Sequence, residues 1–550
     1  MRSTAALLAV CLLAGSILAA CSSGAKSAPA TVRLAVDGAL MQRAKSVAGD
    51  YLASQHLTVE LVATNGTQSD IAIAASPPDG KDALPFAAGF WVPVVPLASK
   101  ASALTMAQLG DAVAGKLTGW SSITGESTPL RVVVPADPAP PLEQWWPGVT
   151  PAVDSLPLDQ VPAALFADPG ALAIVPLDAV NAGMRSLDVD GTNIVFGTGE
   201  LASYALTERR WITTRDVRNK KFSDALDGTA QELAKDLLAA PPDPIIMRAT
   251  GDILPVRCTL EKLQARGDVT YPFLELGPWL ADADIAVGSL DAAISDAGVP
   301  FGCTETFSLM GPAAAAEGFA YAGLDVMTVA TNHVKDCGQA ACGDDAFFDT
   351  LANLRANGVE PVGGGADLAA ARQPAIIEVR GVRFAFLGYD EIAPYYHAEP
   401  GVAGTAPLLE EYVREDIAAA SQIADVVVFE PQWGVEYTAE PTLNQQLLAE
   451  AAVEAGADLV IGNHPHWVQA TQVIGDVFVA YALGNFLFDQ DWSLETQQGA
   501  VLEAAFHGSQ LRGVRYYPIH IYDETQPRFA EPAEAQQILD RIWNASATLR

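Results

Sequence analysis

Positive charge is scarce in this chain. Lysine and arginine together number 32 against 66 aspartates and glutamates, a net charge of −34 over 550 residues. A polyanion would be repelled before any contact formed, which argues against nucleic acid as a partner and against a surface that attracts anionic lipid. The same acidity keeps a crowded secreted protein soluble. Histidine is scarcer still, with seven in the whole chain, and there are six cysteines. After the N-terminus no stretch is apolar for long enough to cross a bilayer. With 50% hydrophobic and 18% charged residues the chain is still that of a well-packed globular protein. It is too long for one ordinary core, and two domains or more are expected.

At the N-terminus, Met1-Arg2 precedes an apolar run over 5–20 that ends in Leu18-Ala19-Ala20-Cys21. The run has the length of a signal-peptide core. Its ending resembles a bacterial lipobox, which implies cleavage before Cys21 and lipidation of that thiol. The expectation is a signal peptide over 1–20, a lipidated small-residue tether over 21–30, and a body held outside the cell membrane as a lipoprotein. An ordinary cleaved signal with a coincidental cysteine is the alternative. Cys11 lies in the signal, which leaves Cys258, Cys303, Cys337 and Cys342. An even count in an oxidising compartment suggests two disulfides. The short loop from Cys337 to Cys342, with Gly338 inside it, favours 337–342 with 258–303; free buried thiols are the alternative, disfavoured outside the cell.

Residues 31–240 alternate strand-like and helix-like stretches. Strands are predicted over 31–36, 57–63, 71–75, 90–96, 130–135 and 171–176, with helices over 39–55 and 223–238. This is the pattern of an α/β domain with a largely parallel sheet. Trp91-Val-Pro-Val-Val-Pro-Leu97, Leu104-Thr-Met-Ala-Gln-Leu109, Gly115-Lys-Leu-Thr-Gly-Trp120 and Gly170-Ala-Leu-Ala-Ile-Val175 resemble parts of phosphate-type periplasmic solute-binding proteins. The Gly-Ser-rich helix start with which such proteins cradle an oxyanion is missing. A spacer, or a sensor of another ligand, is therefore expected. Ala239-Ala-Pro-Pro-Asp-Pro244 reads as a linker and the domain boundary.

From 245 to 550 the chain repeats one device: an apolar run ends in a polar, ligand-capable residue. The runs end at Asp252, at Asp291, at Asn332-His333, at Gln432 with Glu436 just beyond, and at His464-Pro-His466. Helical stretches over 344–357 and 443–455 separate or follow several of them. Parallel strands joined by helices put their C-terminal ends along one edge, so these residues can converge on one crevice. Imidazole with oxygen ligands suits Mn, Fe or Zn better than Ca or Mg. One or two such ions could generate hydroxide while clamping a phosphoryl or carboxyl oxygen. Taken singly, Gly251-Asp252 can be a strand-to-turn junction and Asn332-His333 a turn cap.

Gly251-Asp-Ile-Leu-Pro-Val-Arg257, Asn332-His-Val-Lys-Asp336, Gln432-Trp-Gly-Val-Glu-Tyr437, His464-Pro-His466 and Tyr481-Ala-Leu-Gly-Asn-Phe486 resemble the capsule-synthesis CapA family, which includes poly-γ-glutamate biosynthesis proteins. The resemblance covers about 245–525. It implies a two-sheet α/β sandwich of metallophosphatase type behind the binding-protein-like α/β domain, and an extracytoplasmic, membrane-anchored location. This chain departs from the pattern in three places. Ser289-Leu-Asp291 stands where the family has Asn-Leu-Glu, Gln432 where it has His, and Thr331 where it tends to have a second Asn.

The expected metal ligands are Asp252, Asp291, Asn332, His333, Gln432, His464 and His466, with Asn332 orienting an oxyanion and His333 and Glu436 taking part in catalysis, Glu436 as general acid or base. The function implied is synthesis, transfer or release of an anionic exopolymer such as poly-γ-glutamate, alongside other capsule-synthesis proteins. A metal-dependent envelope phosphoesterase is the first alternative. A non-catalytic binding or scaffold protein with a degenerate metal site is the second.

Overall fold

The computed structural model describes residues 30–36, 40–62, 69–76 and 82–549. The expected signal peptide, Cys21 and all of the tether but residue 30 lie outside the described residues. The described chain is mixed α/β with several sheets. It forms two compact units, one from the residues up to Phe86 with Arg209–Leu238, the other from Ala87–Glu208 with Ala239–Arg550. No described helix is long and apolar enough to cross a membrane.

In the first unit, strand Thr31–Ala35 pairs parallel with Thr58–Val62 and Ile71–Ala74. The end of strand Thr207–Thr214 runs antiparallel to Ile71–Ala74. Helix Met41–Ser54 buries Ala44, Ala48 and Leu52, a stripe at helical spacing, and helix Lys220–Asp236 buries Leu226, Ala230 and Leu233. A Cβ at Gly228 would collide with the Tyr51 ring, so glycine is what lets the two helices approach.

The second unit cuts across the boundary expected at 239–244. Its core of Trp91, Val133, Ile174, Val195 and Phe196 includes Ala505, with Ile246 packed against it. Residues 87–208 thus share apolar packing with the chain beyond 239, and a linker-like composition at 239–244 says nothing about that long-range contact.

The larger part of this unit is a pair of facing sheets. Its strands in chain order are β1 (Ile245–Ile253), β2 (Ile285–Leu290), β3 (Val326–Thr328), β4 (Glu360–Val362), β5 (Ala375–Val379), β6 (Val382–Asp390), β7 (Val426–Gln432), β8 (Leu459–Ile461), β9 (Thr471–Ile474), β10 (Val477–Ala480), β11 (Asn485–Leu487), β12 (Gln498–His507), β13 (Gln510–Tyr522) and β14 (Gln526–Phe529). One sheet has the order β4-β3-β2-β1-β12-β13-β14, with β11 beside the end of β1; the other is β5-β6-β7-β8-β10-β9. Strands β1 to β4 are mutually parallel, and so are β6, β7, β8 and β10.

The near-continuous apolar runs follow from burial on both faces. Along β7, Val426 and Val428 face the other sheet in a core with Met247, Phe384, Phe386, Leu502 and Phe506. Val427 and Phe429 point the opposite way, toward helices Glu410–Ala420 and Leu443–Ala455. On the outer face of the first sheet, Phe319 and Phe347 from helices Ala315–Tyr321 and Asp345–Ala356 complete a third core. The result is four layers: helix, sheet, sheet, helix. The five ligand-bearing runs do not share one sheet edge. Three end β1, β2 and β3 in one sheet, two end β7 and β8 in the other, and the crevice lies at the rim where both sheets finish.

Cys258 is bonded to Cys303 and Cys337 to Cys342, the pairing favoured by the spacing.

Candidate metal centre

Asp252 stands at the end of β1 and is completely buried. Gly251 before it is required, because a Cβ there would run into the backbone of Gly484. The Asp252 carboxylate accepts hydrogen bonds from Ser289 Oγ at 3.0 Å and from the backbone amide of His464 at 3.1 Å. Its Oδ2 lies 3.7 Å from His466 Nδ1. One carboxylate thus ties the ends of β1 and β2 to the loop after β8, across the two sheets.

That loop is held in an unusual backbone. His464 and His466 both have positive φ, 96° and 58°, a region that L side chains rarely occupy. Gly462, one residue past β8, has no room for a side chain between the Tyr481 carbonyl and the Trp433 indole. Strain of this kind persists only where the surroundings over-determine it, and it collects at functional sites. Here both imidazoles are turned inward, each 4% exposed or less. His466 Nδ1 is held 2.9 Å from Asn485 Oδ1, and its Nε2 lies 3.8 Å from Glu436 Oε1. Ligand atoms of Glu436, His464 and His466 all fall within 4.8 Å of one another.

The other expected residues join the same cluster. Gln432 ends β7, bridges to Asn463, and donates from Nε2 to Asn332 Oδ1 at 3.1 Å. His333 Nδ1 is 2.7 Å from Asp336 Oδ2, and Asp336 also accepts from the Leu309 amide and the Tyr396 hydroxyl. Asp291, just past β2, is fully buried, with Thr331 and His333 as the groups that ease its charge.

Burial is the leading influence on the electrostatics of this cluster. Burial, and then the charge of Asp291, push the Asp252 carboxyl well above its usual range. Burial also raises Asp291, opposed by His333. For His333, burial lowers the pKa, but Asp291, Asp336 and Glu436 outweigh it and the net shift is upward. His464 is driven well below the normal imidazole value by burial and by His466 and His333, and His466 falls to about 4 through burial. His464 and His466 are thus neutral, the form in which imidazole binds metal.

The residues fit such an ion. Buried ligand atoms without a hydrogen-bond partner are Gln432 Oε1, Asn463 Oδ1 and His464 Nδ1, whereas natural interiors pair nearly all buried polar atoms.

The residues expected from the sequence to hold metal therefore lie around this rim, where His464 and His466 with Glu436 are the carboxylate and imidazole groups whose ligand atoms come together. The three that sequence reasoning passed over as site residues are Asp336, Asn485 and Asn463. Asp336 and Asn485 both lie inside motifs already singled out, and their signal was a polar residue a few positions from a histidine or a strand end.

Residues 247–490 match the model of the family described as bacterial capsule synthesis protein PGA_cap. This stretch, a little under half of the chain, carries the sequence features of that family. The PGA biosynthesis protein CapA of Bacillus subtilis (strain 168) is 31% identical over 202 residues, which are 36% of this chain and 52% of that protein. The chain thus spans about half the length of that relative. Among solved structures, a 5'-nucleotidase precursor from Thermus thermophilus aligns with a TM-score of 0.33 at 14% identity, over 54% of this chain and 58% of its own. A phosphate transport receptor from Vibrio cholerae aligns with a TM-score of 0.30 at 14% identity, over 37% of this chain and 98% of its own. The rim residues, from Asp252 to Asn485, all lie within the matched stretch.

Proposed function

We propose that the protein acts in the synthesis, transfer or release of an anionic capsule polymer of the poly-γ-glutamate kind, using a divalent transition metal held at the rim of the sandwich. Supporting this are the match to the capsule-synthesis family, the relative named for poly-γ-glutamate biosynthesis, and the ligand set. The observation that carries the chemistry is the pair of buried carboxylates, Asp252 and Asp291, set among inward-turned imidazoles with unsatisfied ligand atoms.

Asp252, His333, His464 and His466 would hold the first ion; Asp291, Asn332 and Gln432 complete that shell or begin a second. When bound, such a metal supplies Lewis-acid polarisation of a carboxyl or phosphoryl oxygen and an acidified water. The protein's own groups do the rest. Asn485 and Asp336 fix the orientations of the His466 and His333 rings. Glu436 is at the open side, half exposed, and burial raises its pKa against the pull of His333. It is the group placed to hold and release a proton at the mouth of the crevice. Local positive charge from the ion also answers the problem of a −34 chain approaching a polyanion. In this reading a lipid on Cys21 anchors the chain outside the membrane.

The purified chain should carry at least about one Mn, Fe or Zn per molecule by elemental analysis. It should cleave or transfer γ-linked glutamate amides, and His464→Ala should abolish both. Metal at full occupancy with turnover of an aryl phosphate, and none of γ-polyglutamate, would move the assignment to an envelope phosphoesterase. No bound metal and no turnover would leave a scaffold.

A further inference from the structure

Away from the rim, the second unit contains a cavity of about 230 Å³ walled by residues of 97–188 and of 514–543. No residue of the metal cluster lines it. Its polar side is made by Arg185 and Arg515, with Asp188 as the carboxylate between them. Its other walls include Ser186, Tyr516 and Trp543, the last two rings in edge contact at 6.0 Å.

One carboxylate here is bonded to one guanidinium and acts on the second only through its charge. Arg515 reaches Asp188 at 2.8 Å and lies over the Phe196 ring at 3.9 Å. Arg185 donates to the Ser99 carbonyl at 2.6 Å. Asp188 is itself divided, since it also accepts from Asn193 Nδ2 at 2.9 Å. The cavity wall therefore holds a net charge of +1 on a chain whose total is −34. Burial and the neighbouring Arg515 both disfavour the charged form of Arg185. Among the described residues that line the cavity, no second carboxylate balances this cation. A guanidinium presents five donors in a planar fork that matches a carboxylate, and the bonds to Ser99 and Asp188 occupy few of the donors on the two arginines.

We propose that this cavity is a binding site for a small organic carboxylate, its charged end on Arg185 and Arg515 and its carbon chain against Tyr516 and Trp543. The volume is below that of sites for drug-sized ligands, which limits the occupant to roughly amino-acid dimensions. Aromatic walls favour a carbon skeleton over a bare inorganic anion. The site is independent of the metal chemistry at the rim.

Calorimetric titration of the full chain with glutarate, at fixed ionic strength, tests this. Glutarate should bind, and the uncharged glutaramide should not. Arg185→Gln should weaken binding at least about tenfold, the loss expected for charge-assisted hydrogen bonds. Asp188→Asn should tighten it, because it removes the carboxylate that competes for Arg515; a merely structural pair would not give that sign. His464→Ala should leave it unchanged, separating this site from the rim. The proposal is overturned if inorganic phosphate binds and glutarate does not, or if Arg185→Gln binds glutarate as well as the unaltered chain. It is also overturned if Asp188→Asn fails to tighten a folded protein's binding, a result that does not depend on Arg185→Gln folding.

Discussion

The Nδ1 atom of His333 lies 2.7 Å from the carboxylate of Asp336, three residues further along the chain. That contact leaves Nε2 as the ligand atom and fixes the ring that carries it. Asp336 is in turn held by the Leu309 amide and the Tyr396 hydroxyl, so the orientation is inherited from two other segments. Asp336→Asn should fold, since the amide oxygen can still accept. It should lower metal affinity about 10- to 100-fold, the usual effect of removing a carboxylate behind a ligating histidine. Competition with a chelator measures this, and unchanged affinity would remove Asp336 from the site.

Asp291 gives a prediction of opposite sign in the two metal states. Without a cation its fully buried carboxylate is a cost to the fold, since burial outweighs the relief from His333 and Thr331. Asp291→Asn should raise the melting temperature of metal-stripped protein, a gain of about 1–3 kcal/mol for relieving one such group. The same substitution should reduce the stabilisation that added metal confers. Thermal melts with and without metal decide it; a variant less stable than the parent in both states would contradict the reading.

In the first unit, Asp70 is 2% exposed and pairs with Arg33 and with Arg215, the latter at 2.7 Å. Burial alone would raise its carboxyl, but the Arg33 amide and the two guanidiniums outweigh burial and hold it below the ordinary value. The folded form therefore binds fewer protons than the unfolded one in acid. The stabilisation is complete above the unfolded carboxylate value of about 3.9 and is lost as pH falls through the lower folded value. Asp70→Asn should cost about 1–3 kcal/mol at neutral pH and flatten the acid limb of the stability curve. Denaturant melts between about pH 2 and 7 check the slope. An unaltered acid limb would show that Asp70 does not set it.

The two disulfides should differ in worth. The Cys258–Cys303 link spans 45 residues and the Cys337–Cys342 link spans 5. Loop-closure entropy then predicts losses of about 4 and about 2 kcal/mol for the respective double serine variants. Equal losses would mean that strain or residual unfolded structure, not loop length, governs them.

Some of this protein was written locally and some was not. The apolar runs, their polar ends, the histidine pair and the Cys337–Cys342 link are short-range features, and a run of like residues or a spacing of five is enough to expose them. Helix Leu443–Ala455 and strand Ala171–Pro176 stand where periodicity puts them. The division of the five strand ends between two facing sheets was not legible, because it depends on which strands pair. Nor were the roles of Asp336 and Asn485, each an ordinary polar residue until a histidine is brought beside it. The same holds for the packing of residues 87–208 against the chain beyond 239, and for the cavity between Arg185 and Arg515. The sequence by itself determined which groups this protein can offer to a metal. The tertiary structure decided that they meet, since the bond from the His464 amide to Asp252 closes a separation of 212 residues that no local pattern encodes.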